Sequence, residues 1–297
     1  MAQRSAAGTA TVSPGPPNLG AALLALSASL TWGVGDFLGG VKARVMPSLL
    51  VMAASQPFGL AALGIAVAVR GTGIPGDEVA WSALSAVLGT VGLFAFYRGM
   101  AAGAISVVAP IAALSAGIPV IWGVAVSGDH VSGLQGIGFI AAVGGSVAAS
   151  LELRPERTQI AAGVGWAVLA MLAFGAYYVP MHAASTQDWL WPAFLFRCTS
   201  VAIVVPLALA RGLRPTGLRG HWPALIAIGF LDTGGNAFFA AASSWHGLLS
   251  VVSVLASLYP VVTVLLARFM LGERVQRTQD AGVLLVLLGV VLITAGG

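Results

Sequence analysis

The feature that most constrains this chain is a succession of apolar runs, each about as long as a bilayer is thick. A membrane-spanning helix needs about 20 mostly apolar residues. Runs of that length fall at 19–40, 46–69, 79–101, 103–126, 132–151, 161–183, 189–210, 222–243, 247–271 and 279–296. Turn residues or charges separate them, as at Lys42 and Arg44, Arg70 to Glu78, Ser127 to His130, Glu152 to Gln159, Ser185 to Asp188, Arg211 to His221 and Gly272 to Thr278. The runs are continuous rather than alternating, which argues against membrane strands. The pattern predicts an all-α integral membrane protein with ten transmembrane helices.

Composition supports a lipid environment. Only 8% of the 297 residues are charged and 58% are hydrophobic, with a mean hydropathy of +0.94. An ordinary soluble domain carries about 25% charged residues. A soluble chain of this make-up would expose large apolar patches and aggregate. The net charge of +4 is spread over short connections without a basic stripe, so nucleic acid is not an expected partner. The lipid bilayer and a small-molecule substrate are. One cysteine, Cys198, excludes an internal disulfide and a cysteine metal cluster.

An internal repeat organises the chain. The stretch from Gly103 aligns without a gap on the stretch from Gly247, pairing Ser106 with Ser250, Asp129 with Glu273, Gln135 with Gln279, Gly138 with Gly282 and Gly145 with Gly289. Upstream, Trp32-Gly33 stands against Phe174-Gly175 at a nearly equal offset. The expected organisation is a disordered tail at 1–18, a first five-helix repeat at 19–151, a linker at 152–160 and a second repeat at 161–297. Five is odd, so the second copy crosses the membrane upside down relative to the first. Inverted repeats of this kind place a shared cavity at the bilayer midplane and allow either side to open. Both ends then lie on one side. The distribution of Arg and Lys among the connections puts that side opposite the cytoplasm. Arg4 and the apolar run after it mimic a signal peptide, but the run continues to about Gly40, long enough to span.

Charges at membrane depth are costly and mark functional candidates. Asp232 lies mid-helix, with Asn236 one turn on and Phe239 and Ser243 continuing the same face. That stripe suits either a water-filled cavity or a packing contact with a neighbouring helix. Asp36 follows Trp32 by one turn, a face that can grip a cationic or aromatic group, or pair with Lys42 or Arg44. Tyr97 and Arg98 close the third run; Arg98 can clamp a carboxylate or reach to the headgroups. Arg197 lies too deep to reach the headgroups, which suggests an ion pair with a group such as Asp232. Gln56, Tyr177, Tyr178 and Tyr259 complete the candidate substrate-binding set. Pro110, Pro119, Pro180 and Pro260 are candidate kinks. The repeated glycines suit close helix packing or, alternatively, a homodimer contact.

Several motifs together carry a family resemblance. Trp32-Gly33, the Gly92-to-Pro110 tract GLFAFYRGMAAGAISVVAP, and Leu258-Tyr259-Pro260 leading to Leu271-Gly272-Glu273-Arg274 resemble the EamA domains of the drug/metabolite transporter superfamily. The tracts around WGVGDFLGG and LDTGGNAFF are similar to an actinobacterial-type branch. The resemblance implies two tandem EamA units, ten helices, and secondary transport of small metabolites or drugs in the cell membrane. The first unit departs from the pattern, with Ser127-Gly128-Asp129-His130 in its loop and Pro119 three positions from where Pro260 maps. The chain contains no P-loop and no His-Glu-x-x-His, so ATP hydrolysis and zinc hydrolysis are not expected. No cofactor, metal site or catalytic residue is expected either. The expectation is therefore an exporter working by alternating access. A membrane-embedded enzyme on lipid-linked substrates and a non-transporting scaffold or sensor are the alternatives.

Overall fold

The computed structural model describes residues 18–73, 76, 78–102, 105–150, 157–271 and 277–296. The expected tail before Asn18, residues 152–156 of the expected linker and the Gly272-Glu273-Arg274 loop lie outside them. Among the described residues the chain is helical, without strands. Its helices are α1 (Leu19–Ala43), α2 (Ser48–Arg70), α3 (Glu78–Ala102), α4 (Ile105–Ala113), α5 (Gly117–Trp122), α6 (Gly133–Ser150), α7 (Arg157–Ala184), α8 (Leu190–Ala210), α9 (Trp222–Ser244), α10 (Leu249–Ala256), α11 (Tyr259–Leu271) and α12 (Arg277–Ala295). Six of them, α1–α3 and α7–α9, have the length and apolar composition to cross a membrane. Shorter apolar helices make up the rest.

Two of the apolar runs are broken helices, and proline accounts for the breaks. A proline has no N–H to give to the carbonyl four residues back. Pro119 therefore leaves the Ser115 carbonyl without its helical donor, and a 3₁₀ turn at Leu114–Ala116 joins α4 to α5. Pro260 does the same to Ala256, and Ser257-Leu258 separates α10 from α11. After α5 a π-helical turn, Gly123–Ser127, ends on Gly128 in the left-handed region at φ 75°, a conformation glycine adopts without steric cost. Pro180 lies inside a continuous α7, as Pro57 and Pro206 do in α2 and α8.

The packing is exchanged when the first five segments are swapped in order for the last five. α1 packs on α9 as α3 packs on α7, α2 on α9 as α3 on α8, and α1 on α10 and α11 as α7 on α4 and α5. The pairs α2–α8 and α6–α12 map onto themselves. Glycine makes the last contact possible. A Cβ at Gly138 would come within 3.0 Å of the Gly289 carbonyl oxygen, and one at Gly145 within 2.8 Å of that of Gly282. The repeated glycines thus pair crosswise, early residue against late, so α6 and α12 run antiparallel. Small residues allowing backbones to approach are the usual adhesive between membrane helices, where the hydrophobic effect supplies little.

Contacts between connections sort into two ends. At one end Asn18 bonds the Trp245 carbonyl, Arg70 pairs with Asp188, Asp129 bonds Ser250 and Ser132 donates to the Gly296 carbonyl. At the other, Lys42 meets His221 Nδ1 at 3.2 Å. The first and last described residues therefore share an end of the bundle.

Candidate functional site

The middle of the bundle carries a polar cluster built from α1, α2, α3, α7, α8, α9 and the start of α11. Its centre is an ion pair between two helices, Arg197 Nη1 to Asp232 Oδ2 at 2.7 Å. The Arg197 side chain is 1% exposed and that of Asp232 14%. Such a charge pair is tolerated at depth because each partner offsets the desolvation of the other. It is incomplete, however: Arg197 Nε and Nη2 find no acceptor among the described residues. The guanidinium therefore keeps free donors on a buried wall.

A hydroxyl relay stands beside it. Thr90 donates to Ser200 Oγ and Ser200 to Gln56 Oε1, each at 2.8 Å, linking α3, α8 and α2. On the other flank Tyr177 donates to Asn236 Oδ1 at 2.7 Å, and Asn236 Nδ2 to the Asp232 carbonyl at 2.9 Å. Asp36 faces the same space from α1 and is buried. It forms no ion pair among the described residues, because Lys42 lies two turns further along α1 against His221. The expected bridge from Asp36 to Lys42 or Arg44 is not made.

Aromatic rings close the space. Trp32 contacts the edges of Tyr177 and Tyr178 with centroids 6.1 and 6.2 Å apart, and Phe239 packs 5.0 Å from Tyr178. Gly235 leaves room for the Trp32 indole, whose ring a Cβ there would overlap. Tyr259, placed by the break before α11, packs edge-on to Phe174 at 6.1 Å. The cavity between them measures about 40 Å³. A water needs about 10–15 Å³ on that measure, whereas small-molecule pockets run to about 300–1,000 Å³. The site thus has room for a few waters.

Of the residues expected from sequence, Trp32, Asp36, Gln56, Tyr178, Asp232, Asn236 and Tyr259 all line this cavity, with Tyr177 and Arg197. Two do not. Tyr97 is buried against Gly39, outside the lining, with its hydroxyl unpartnered. Arg98 is exposed and lies over the Trp166 ring at 5.9 Å; one residue on from Tyr97, it points about 100° away around the helix. Thr90, Phe196 and Ser200 belong to the site and were not anticipated. A lone hydroxyl in an apolar run ordinarily bonds its own backbone, so the sequence holds no signal for the Thr90–Ser200–Gln56 relay.

A second, larger cavity of about 780 Å³ lies at the end of the bundle that carries Asn18 and Gly296. Asp129, His130, Gln135, His246, Leu248 and Val252 are among its walls.

Comparison with known proteins agrees with this architecture. The sequence profile of the EamA-like transporter family matches residues 161–295. The comparison with curated proteins gives no match. A solved structure described only as "Crystal structure of protein" superposes with a TM-score of 0.74 at 16% identity, covering 93% of this chain and 96% of that one. At that identity the likeness speaks for the fold. Residues 161–295 match the EamA-like transporter family, and with the apolar helices before them they mark a multi-pass integral membrane protein.

Proposed function

We propose that the chain is a secondary transporter of small polar metabolites or drugs, working by alternating access between two inverted five-helix halves. The observation that carries this reading is the Arg197–Asp232 pair with Asp36 in one narrow cavity at mid-bundle, walled by helices from both halves of the sequence. Charged groups enclosed at mid-bundle, partly unpaired, suit a site that binds and releases a polar solute. The exchange symmetry of the packing, the antiparallel α6–α12 contact and the shared end of Asn18 and Gly296 support ten crossings and an inverted second half.

The chemistry of the walls describes the solute. Free N–H groups on Arg197 suit an anionic oxygen, Asp36 a cationic group, and the Trp32–Tyr178 rings an apolar or cationic body. The Arg-rich end, including Arg211, Arg214 and Arg219, is cytoplasmic by the positive-inside rule. The large cavity then lies on the outer face of the cell membrane, where an exporter would release its solute. Counterflow into proteoliposomes tests this with a panel of zwitterionic, anionic and cationic small solutes. Saturable counterflow of at least one class, absent from empty vesicles, is expected. Absence of flux across the panel, with chemical change of a lipid-linked substrate instead, would replace the transporter by an enzyme.

A further inference from the structure

The helix α10 begins without a cap of its own. Its N-cap residue is Leu248, whose side chain cannot accept a hydrogen bond. The missing acceptor comes from the other half of the chain: Asp129 Oδ2 receives the Ser250 N–H at 2.9 Å and the Ser250 hydroxyl at 2.6 Å. The π-helical turn Gly123–Ser127 makes this reach possible. It brings the Asp129 N–H back onto the Gly123 carbonyl at 2.9 Å and folds the carboxylate over the α10 terminus. Gly123 leaves the space, since a Cβ there would stand 2.5 Å from Asp129 Oδ2 and 3.3 Å from Ser250 N. Carboxylates at helix N-termini satisfy orphan N–H groups and complement the helix dipole.

α10 also lies between the two cavities. Leu248, Val251 and Val252 wall the outer cavity, and Tyr259, just past its other end, walls the central one. That other end is the Ser257-Leu258 break before Pro260, a point where helical hydrogen bonding is interrupted. α11 beyond the break is tied to α1 through Thr263 Oγ1 and the Gly33 carbonyl at 3.1 Å. A two-turn helix is therefore fixed at its start by Asp129 and hinged at its end.

The geometry points to Asp129–Ser250 as the latch that holds α10 closed between the central site and the outer cavity. Its release lets α10 swing about Ser257-Leu258 and joins the two spaces. The inference rests on the alternating-access reading, but its test needs no transported solute. Ser253, fully buried on α10, is replaced by cysteine in a Cys198→Ser background, and its labelling by a membrane-impermeant thiosulfonate is timed in detergent-solubilised protein. Asp129→Ala is expected to speed labelling by about 5–10-fold, the scale of losing one N-cap, and Ser250→Ala, which keeps the backbone N–H bond to Asp129, to speed it less. In a separate Asp129→Cys, Ser250→Cys protein carrying the same reporter, bridging the pair with a short reducible bis-thiosulfonate before reporter labelling is expected to slow it, and a reductant to restore it. Unchanged labelling in Asp129→Ala, or equal rates with and without the bridge, overturns the latch. Either result leaves a counterflow measurement on the unaltered protein to judge transport by itself.

Discussion

Arg197 on α8 and Asp232 on α9 meet at 2.7 Å in the middle of the bundle, yet two of the guanidinium donors point at no protein acceptor. The pair thus joins two helices of one half while keeping hydrogen-bonding capacity for something that enters the cavity. Structural and functional demands on Arg197 are separable. Removing one partner of a buried pair leaves an uncompensated charge and costs about 3–5 kcal/mol. Arg197→Gln alone is expected to lower the thermal unfolding midpoint in detergent clearly. Arg197→Gln combined with Asp232→Asn is expected to regain most of that loss while counterflow stays at background. Equal midpoints for the single and double variants would show that the pair is not coupled.

Asp36 is a different case, because no ion pair holds it among the described residues. A buried carboxylate without a partner lowers stability, so neutralising it relieves a desolvation cost. Asp36→Asn is expected to fold as well as the parent or slightly better, and to lose solute flux by tenfold or more on the order of one charge-assisted contact. Full counterflow in that variant would remove Asp36 from the mechanism.

The crossed glycines offer a stability test away from the site. Gly145 faces backbone, with Val286 N at 2.7 Å and the Gly282 oxygen at 2.8 Å from a built Cβ, whereas Gly144 on the same helix meets nothing within 4 Å. Gly145→Ala is expected to cost about 1–3 kcal/mol by overpacking, and Gly144→Ala to be near neutral. Thermal melts of the two variants check this. Equal midpoints would contradict the antiparallel α6–α12 contact.

At the end of the bundle that carries Asn18 and Gly296, Asp188 sits between α7 and α8 and pairs with Arg70. Its partial burial alone raises the carboxyl pKa, but the Arg70 hydrogen bond and charge and the Leu190 and Trp191 N–H groups hold it below the ordinary carboxylate value. A depressed folded pKa means that the contribution is present above the unfolded value, about 3.9, and disappears as pH falls through the folded one. Arg70 is 41% exposed, so solvent screening keeps the effect to about 0.2–1 kcal/mol. Melting curves for the parent and Asp188→Asn should differ near neutral pH and converge in acid. A gap that widens on acidification would reverse the sign.

Much of the membrane helices was legible in the sequence because lipid permits little else: an apolar run of sufficient length has to be a helix with its backbone bonds satisfied internally. Asp232, Asn236, Asp36 and Trp32 were legible for a related reason, since a charge or large polar side chain in such a run needs company. Arg197 was legible only as a residue too deep to reach water, and the structure supplied its partner. Thr90 and Ser200 carried no such signal, being small hydroxyls that helices accommodate anywhere. Arg98 misled because a charge at a helix end has two outcomes, and its direction depends on a rotation of one residue. The Asp129–Ser250 contact was also beyond reach. The sequence aligned Asp129 with Glu273 and Ser250 with Ser106, but a contact that crosses between the halves appears only once they are packed.

The central claim is that one buried site is reached in turn from both sides of the membrane. Its most direct test places a cysteine at Ser200, 1% exposed in the cavity wall, in a Cys198→Ser background reconstituted with known orientation. A membrane-impermeant thiosulfonate is then supplied on one face only, and separately on the other. Labelling from each face is expected, with the rate from one face rising when conditions slow labelling from the other. Labelling from a single face, or from neither, would contradict it.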